Sequence, residues 1–255
     1  MNRLTVTAVL AVLLAGGCGG SSGTGWKERL FPPPAGVQLM RVESDRPDER
    51  REALQALAAD SGARRLPSVV KVFCLVAKND RDPLVRSAAV RGLPAMEGED
   101  VVATLGAVAT RDESPYVRED ACRSLGQLKD AGAAAPLMEV LCDDRVADVR
   151  MAAAEALRNF KDKAALKALV TALDDSSLTV SRKAWESLRY MTGQSMPRKA
   201  EAWQGFLAAA EDPFALYGKA PPMPKGENQR PQFTRGPAEF LRDLFAQDPQ
   251  EAELN

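Results

Sequence analysis

A fourteen-residue pattern recurs along this chain at a nearly constant interval, and that periodicity limits the fold more than any other feature. DRDPLVRSAAVRGL begins at Asp80, DESPYVREDACRSL at Asp112, DRVADVRMAAAEAL at Asp144 and DSSLTVSRKAWESL at Asp175, so the aspartates stand 32, 32 and 31 residues apart. A weaker copy, SDRPDERREALQAL, begins at Ser44. A period of this length marks an array of small units that stack on one another, because no unit so short can bury its own apolar faces.

The columns of the repeat predict helices. Valine recurs at Val85, Val117, Val149 and Val180, alanine at Ala53, Ala89, Ala121, Ala153 and Ala184, and leucine at Leu57, Leu93, Leu125, Leu157 and Leu188. Counted from the valine, alanine and leucine fall four and eight residues on, which is one face of an α-helix. Pro47, Pro83 and Pro115 sit where a first helical residue belongs, and Asp82 and Ser114 before them are suited to capping. A second apolar-periodic run follows each patterned helix, over 66–77, 100–110, 133–141 and 163–173. Helix, turn, helix and turn back is an αα-hairpin, and stacked hairpins over 47–212 predict an all-α solenoid of about five antiparallel helix pairs.

The column D-x-[DS]-P-x-V-R-x-x-A-x-x-x-L resembles the HEAT family, in particular its bacterial HEAT-like short repeats, over about two thirds of the chain. The resemblance implies that Arg86, Arg118 and Arg150, with Arg50 before them, pair with Asp80, Asp112, Asp144 and Asp175 as a structural ladder at the turns between helices. Ser181 breaks the arginine column in the last copy, and Trp203 and Phe206 look like the cap of such an array. It also implies a concave face lined by the second helices, with Arg65, Lys71, Thr104, Glu139, Lys167 and Thr171 expected toward solvent there as candidate partner-binding residues.

Composition removes whole classes of chemistry. The chain has no histidine, which excludes Ser-His-Asp and Cys-His nucleophiles, histidine bases and histidine zinc sites. A formal net charge of -1 gives no electrostatic footprint for nucleic acid. Asp143-Asp144 and Asp174-Asp175 fall at predicted turns, where aspartate is ordinary turn chemistry, and no phosphate-binding glycine loop or nucleophile elbow is present. No metal, cofactor or catalytic residue is expected. Cys74, Cys122 and Cys142 lack any C-x-x-C pairing and are expected as small buried thiols, with a Cys122–Cys142 bridge as the alternative.

The two ends differ from the array. Residues 1–17 have Arg3 and then an apolar stretch shorter than the ~20 residues a spanning helix needs, as in an export signal. Ala15-Gly16-Gly17-Cys18 resembles a bacterial lipobox, which implies lipid attachment at Cys18; an ordinary secretory signal is the alternative. Residues 18–46 would then supply a Gly/Ser tether and a proline-rich lead-in, with Trp26 or Leu30 available to dock on the first repeat. Residues 213–255 are proline-rich and polar, hence expected to be disordered, apart from a short amphipathic helix over 238–246. Phe240, Leu244 and Phe245 on that helix would either bind a partner or fold back on the array.

The expectation that follows is a monomeric, non-catalytic scaffold, exported and membrane-anchored through its N-terminal lipid, that meets an unidentified protein partner at the cell envelope. Because some HEAT-like families act as chromophore lyases or their helpers, an enzyme or enzyme accessory of that kind is the alternative.

Overall fold

The computed structural model describes residues 34–219, Lys129 excepted. The export segment, Cys18, the tether, Trp26, Leu30 and the 238–246 motif with Phe240, Leu244 and Phe245 lie outside the described residues. Within them are eleven α-helices and no strand: α1 (Ala35–Arg41), α2 (Pro47–Ala59), α3 (Pro67–Asn79), α4 (Pro83–Gly92), α5 (Asp100–Arg111), α6 (Pro115–Gln127), α7 (Ala134–Asp143), α8 (Ala147–Leu157), α9 (Lys163–Thr171), α10 (Leu178–Thr192) and α11 (Ala200–Ala209). The first helices, α2, α4, α6, α8 and α10, carry the repeated pattern, and α3, α5, α7, α9 and α11 are the second helices. The fold is an α-solenoid of five helix pairs.

Each aspartate turn is built by one residue acting twice. The Asp80 N–H bonds the Val76 carbonyl at 3.0 Å and closes α3, while its carboxylate accepts the Asp82 N–H at 2.9 Å and starts the reversal. Asp112 and Asp144 do the same, bonding Val108 and Val140 behind them and Ser114 and Val146 ahead. Pro47, Pro83 and Pro115 occupy the first helical position. Asp82 caps α4 as expected, accepting from the Leu84 and Val85 amides at 2.8 and 3.2 Å. Ser114 makes no side-chain cap.

The columns read from the sequence are the core. The valines and the five alanines are fully buried, and the closing leucines are at most 1% exposed. Each such leucine contributes roughly 1.5–3 kcal/mol over an exposed one. A further column, just before the leucine, is small throughout: Ala56, Gly92, Ser124, Ala156 and Ser187. It lets adjacent first helices close on one another. Ser124 Oγ donates to the Val90 carbonyl at 3.1 Å and Ser187 Oγ to that of Ala154 at 2.8 Å, in each case one repeat back. The second helices pack less extensively on one another than the first helices do. Unequal spacing curves a stack toward its tighter row, so the first helices, not the second, form the inner layer.

Both ends depart from the sequence expectation. The lead-in contains α1, whose Leu39 is buried together with the following Val42, so the array gains a helix before Pro47. At the other end Trp203 is fully buried, with its Nε1 on the Pro197 carbonyl at 3.0 Å, and Phe206 meets its ring edge-on. Ordered packing continues past residue 212: Pro213 is buried, and the Tyr217 hydroxyl donates to the Arg158 carbonyl at 2.7 Å. The Tyr217 ring and its hydroxyl hold residues 213–217 to the array.

Candidate interaction surface

The recurring charges are consumed internally. Arg50 grips the Asp80 carboxylate with Nε and Nη2 at 2.9 and 2.8 Å, and Arg86 grips that of Asp112 at 2.8 and 2.9 Å. Arg118 holds Asp144 at 2.6 and 3.0 Å, and Arg150 holds Asp175 at 2.8 Å through both nitrogens. The remaining terminal nitrogen of Arg86, Arg118 and Arg150 donates backward to the carbonyl of Asp80, Asp112 and Asp144. Every arginine thus ties the aspartate turn before its own helix to the next turn along, and the planar guanidinium satisfies both in one fixed geometry. In the fifth repeat Ser181 Oγ caps the Leu173 carbonyl at 2.6 Å, and the ladder ends there.

Electrostatics follow the geometry. Hydrogen bonds donated to Asp112, Asp144 and Asp175 hold Arg86, Arg118 and Arg150 above the ordinary guanidinium value despite burial. The Arg150 hydrogen bond holds Asp175 below the usual carboxylate range, against burial and helped by the Ser177 amide. For Asp144, burial pulls upward most strongly, but Arg118 and the Val146 amide together outweigh it and the carboxyl stays low. Side chains so engaged have no free valence for a ligand.

The residues expected to meet a partner are dispersed. Arg65, Lys71, Glu139 and Lys167 are exposed, but they lie on the outer row, at the turn before α3 and on α3, α7 and α9. Lys167 and the exposed Thr171 line a groove of about 490 Å³ between α9 and α11, with Val170, Gln204, Leu207 and Ala208. Thr104 is not a surface residue at all, being 1% exposed. It belongs with Val101, Leu105 and Val108 to the i, i+3, i+4, i+7 stripe that α5 buries. Cys74 and Cys122 are buried free thiols, burial pushing that of Cys122 up to about 12. Cys142 is free and exposed, on the outward side of α7, which corrects both the buried reading and the bridge.

The inner row carries what the sequence reading missed. Leu84 is 58% and Tyr116 75% exposed, in the same column of adjacent repeats, immediately before the buried valine. An apolar residue there, one step out of the helical stripe, was the available signal. Beside them runs a net of polar pairs that crosses repeats: Ser87 donates to Asp120, Arg91 and Arg123 flank the same carboxylate at 3.8 Å, and Lys183 joins Glu155 at 3.6 Å. Among the described residues no group of three or more acidic or cysteine side chains is placed to hold a metal ion, and no helix is long and apolar enough to cross a membrane.

Residues 70–158 and, overlapping them, 102–189 match the family model for HEAT repeats. Similar solved structures include the CpcE–CpcF complex of phycocyanin lyase from Nostoc sp. PCC7120, 19% identical over 60% of this chain and 96% of that one, with a TM-score of 0.48. An engineered protein is 18% identical, covering 70% of this chain and 90% of its own at a TM-score of 0.44. Human deoxyhypusine hydroxylase in complex with glycerol is 16% identical, covering 72% and 94% at a TM-score of 0.30. No curated protein matches the sequence. The matched repeats build a solenoid whose arginine–aspartate ladder is architecture.

Proposed function

We propose that this protein is a non-catalytic HEAT-repeat scaffold that binds a protein partner at the cell envelope, held to the membrane by a lipid on Cys18. The observation that supports binding is the pair Leu84 and Tyr116, exposed one repeat apart on the inner row while the repeated charges are locked away. Tyrosine is enriched at interface hot spots because it contributes a large rigid contact area and a polar tip. Support for the anchor comes from the sequence alone, in the short apolar segment that ends in Ala15-Gly16-Gly17-Cys18.

Affinity capture from detergent-solubilised envelopes tests the surface. Full-length chain should retain a reproducible partner that Leu84→Ser with Tyr116→Ser loses and Lys71→Ser with Glu139→Ser keeps. Equal capture by all three removes the inner row from the proposal, and a chain cut after Tyr217 then tests Phe240, Leu244 and Phe245. For the anchor, Cys18→Ser should release the protein as a soluble exported form; unchanged membrane retention would show that something else holds it.

A further inference from the structure

On the edge opposite the aspartate turns, a side chain of one repeat reaches back to the carbonyl end of the previous repeat's first helix. The Gly126 carbonyl accepts from Asn159 Nδ2 of the next repeat at 2.8 Å. Arg158 stands in the same column 32 residues later, and its carbonyl needs the same kind of donor. The fifth repeat places Tyr190 where Asn159 stood, and Tyr190 does not donate there. The donor instead comes from beyond the last helix, from the Tyr217 hydroxyl at 2.7 Å. We infer that residues 213–219 act as a latch, supplying the contact the fifth repeat lacks and opening independently of the array.

The seat for this segment is specific. Gly218 N–H donates to the Tyr190 carbonyl at 2.8 Å, and the two tyrosine rings meet edge-on, 5.3 Å apart at 72°. Lys161 Nζ lies 4.8 Å over the Tyr217 ring. Gly193 ends α10 at φ +68°, and a Cβ there would come within 2.8 Å of the Leu216 carbonyl oxygen, so only glycine admits the segment at this point. Tyr217 and Gly218 use φ, ring and hydroxyl together, yet the segment buries only Pro213 fully, whereas each helix layer buries several large apolar side chains. A few polar contacts set against that packing make this the part of the fold that opens first. Opening leaves the Arg158 and Tyr190 carbonyls and the Lys161 ammonium together, and Lys161 also lines a cleft of about 340 Å³ with Gly126, Asn159 and Phe160. The latch therefore covers polar groups at the rim of that cleft.

Hydrogen exchange on the full chain tests it. Tyr217→Phe keeps the ring and removes the donor, so exchange at Gly218 and over the last turn of α10 should rise roughly fivefold to tenfold, with α4 and α6 unchanged. Gly193→Ala, which blocks the seat, should give the same local pattern. Unchanged exchange at Gly218 in Tyr217→Phe overturns the inference. So does a uniform rise across the array, since the segment would then unfold only with the helices.

Discussion

Arg118 reaches from α6 to the Asp144 carboxylate with Nε and Nη2 at 2.6 and 3.0 Å, and both side chains are at most 6% exposed. With Nη1 on the Asp112 carbonyl at 2.9 Å, one guanidinium joins two successive turns. Stability in such an array is the sum of repeats and nearest-neighbour interfaces, so each ladder pair bears on one interface.

Arg118→Ala should destabilise the protein by about 3–5 kcal/mol, because it leaves a buried carboxylate without its partner. Arg118→Met with Asp144→Leu should recover only the part due to the stranded charge, since the Asp112 carbonyl and the Val146 amide still lose their side-chain partners. Urea denaturation of Arg118→Met, Asp144→Leu and the double variant measures the coupling. Additive losses would show that the pair contributes nothing as a pair.

Acid should weaken the array through Asp144 and Asp175. Both carboxyls are held low in the folded state, so the unfolded chain binds protons more readily. Their contribution is present above the unfolded carboxylate value of about 3.9 and is lost as pH falls below it toward the folded values. Denaturation midpoints should be level between neutrality and mild acid and then drop. In Asp175→Asn the neutral-pH stability should be lower and the drop shallower; an unchanged slope would assign acid sensitivity to other groups.

Two glycines should respond in opposite senses to alanine. Gly126 in α6 would place a Cβ 2.8 Å from the Ala156 Cβ and 3.0 Å from its Cα, a backbone that cannot yield cheaply. Gly126→Ala should therefore cost about 1–3 kcal/mol in spite of better helix propensity. Gly205 in α11 has nothing within 4 Å of that position, so Gly205→Ala should stabilise by about 0.5–1 kcal/mol. Thermal melts of the two variants settle the signs.

Cys142 should react with a maleimide in the native protein, while Cys74 and Cys122 react only on unfolding. Peptide mapping after brief labelling reads this directly. Native labelling of Cys122 would contradict its burial, which pushes the thiol up to about 12.

The solenoid, its pair number and its core columns are determined by the sequence because each column packs against its own copy one repeat away. Val85, Ala89 and Leu93 recur as Val117, Ala121 and Leu125, so periodicity along the chain is contact in space. The tertiary structure alone decided what has no copy, or depends on how far helices stand apart. Which row is inner follows from the close approach of Ala156 to Gly126, which the small column permits but does not by itself impose. Thr104 went inside because the phase of α5 carries it there, and Tyr116 stayed outside by one step from the buried Val117 of α6. Tyr217 found the Arg158 carbonyl only because the array ends at repeat five, where periodicity no longer names the neighbour.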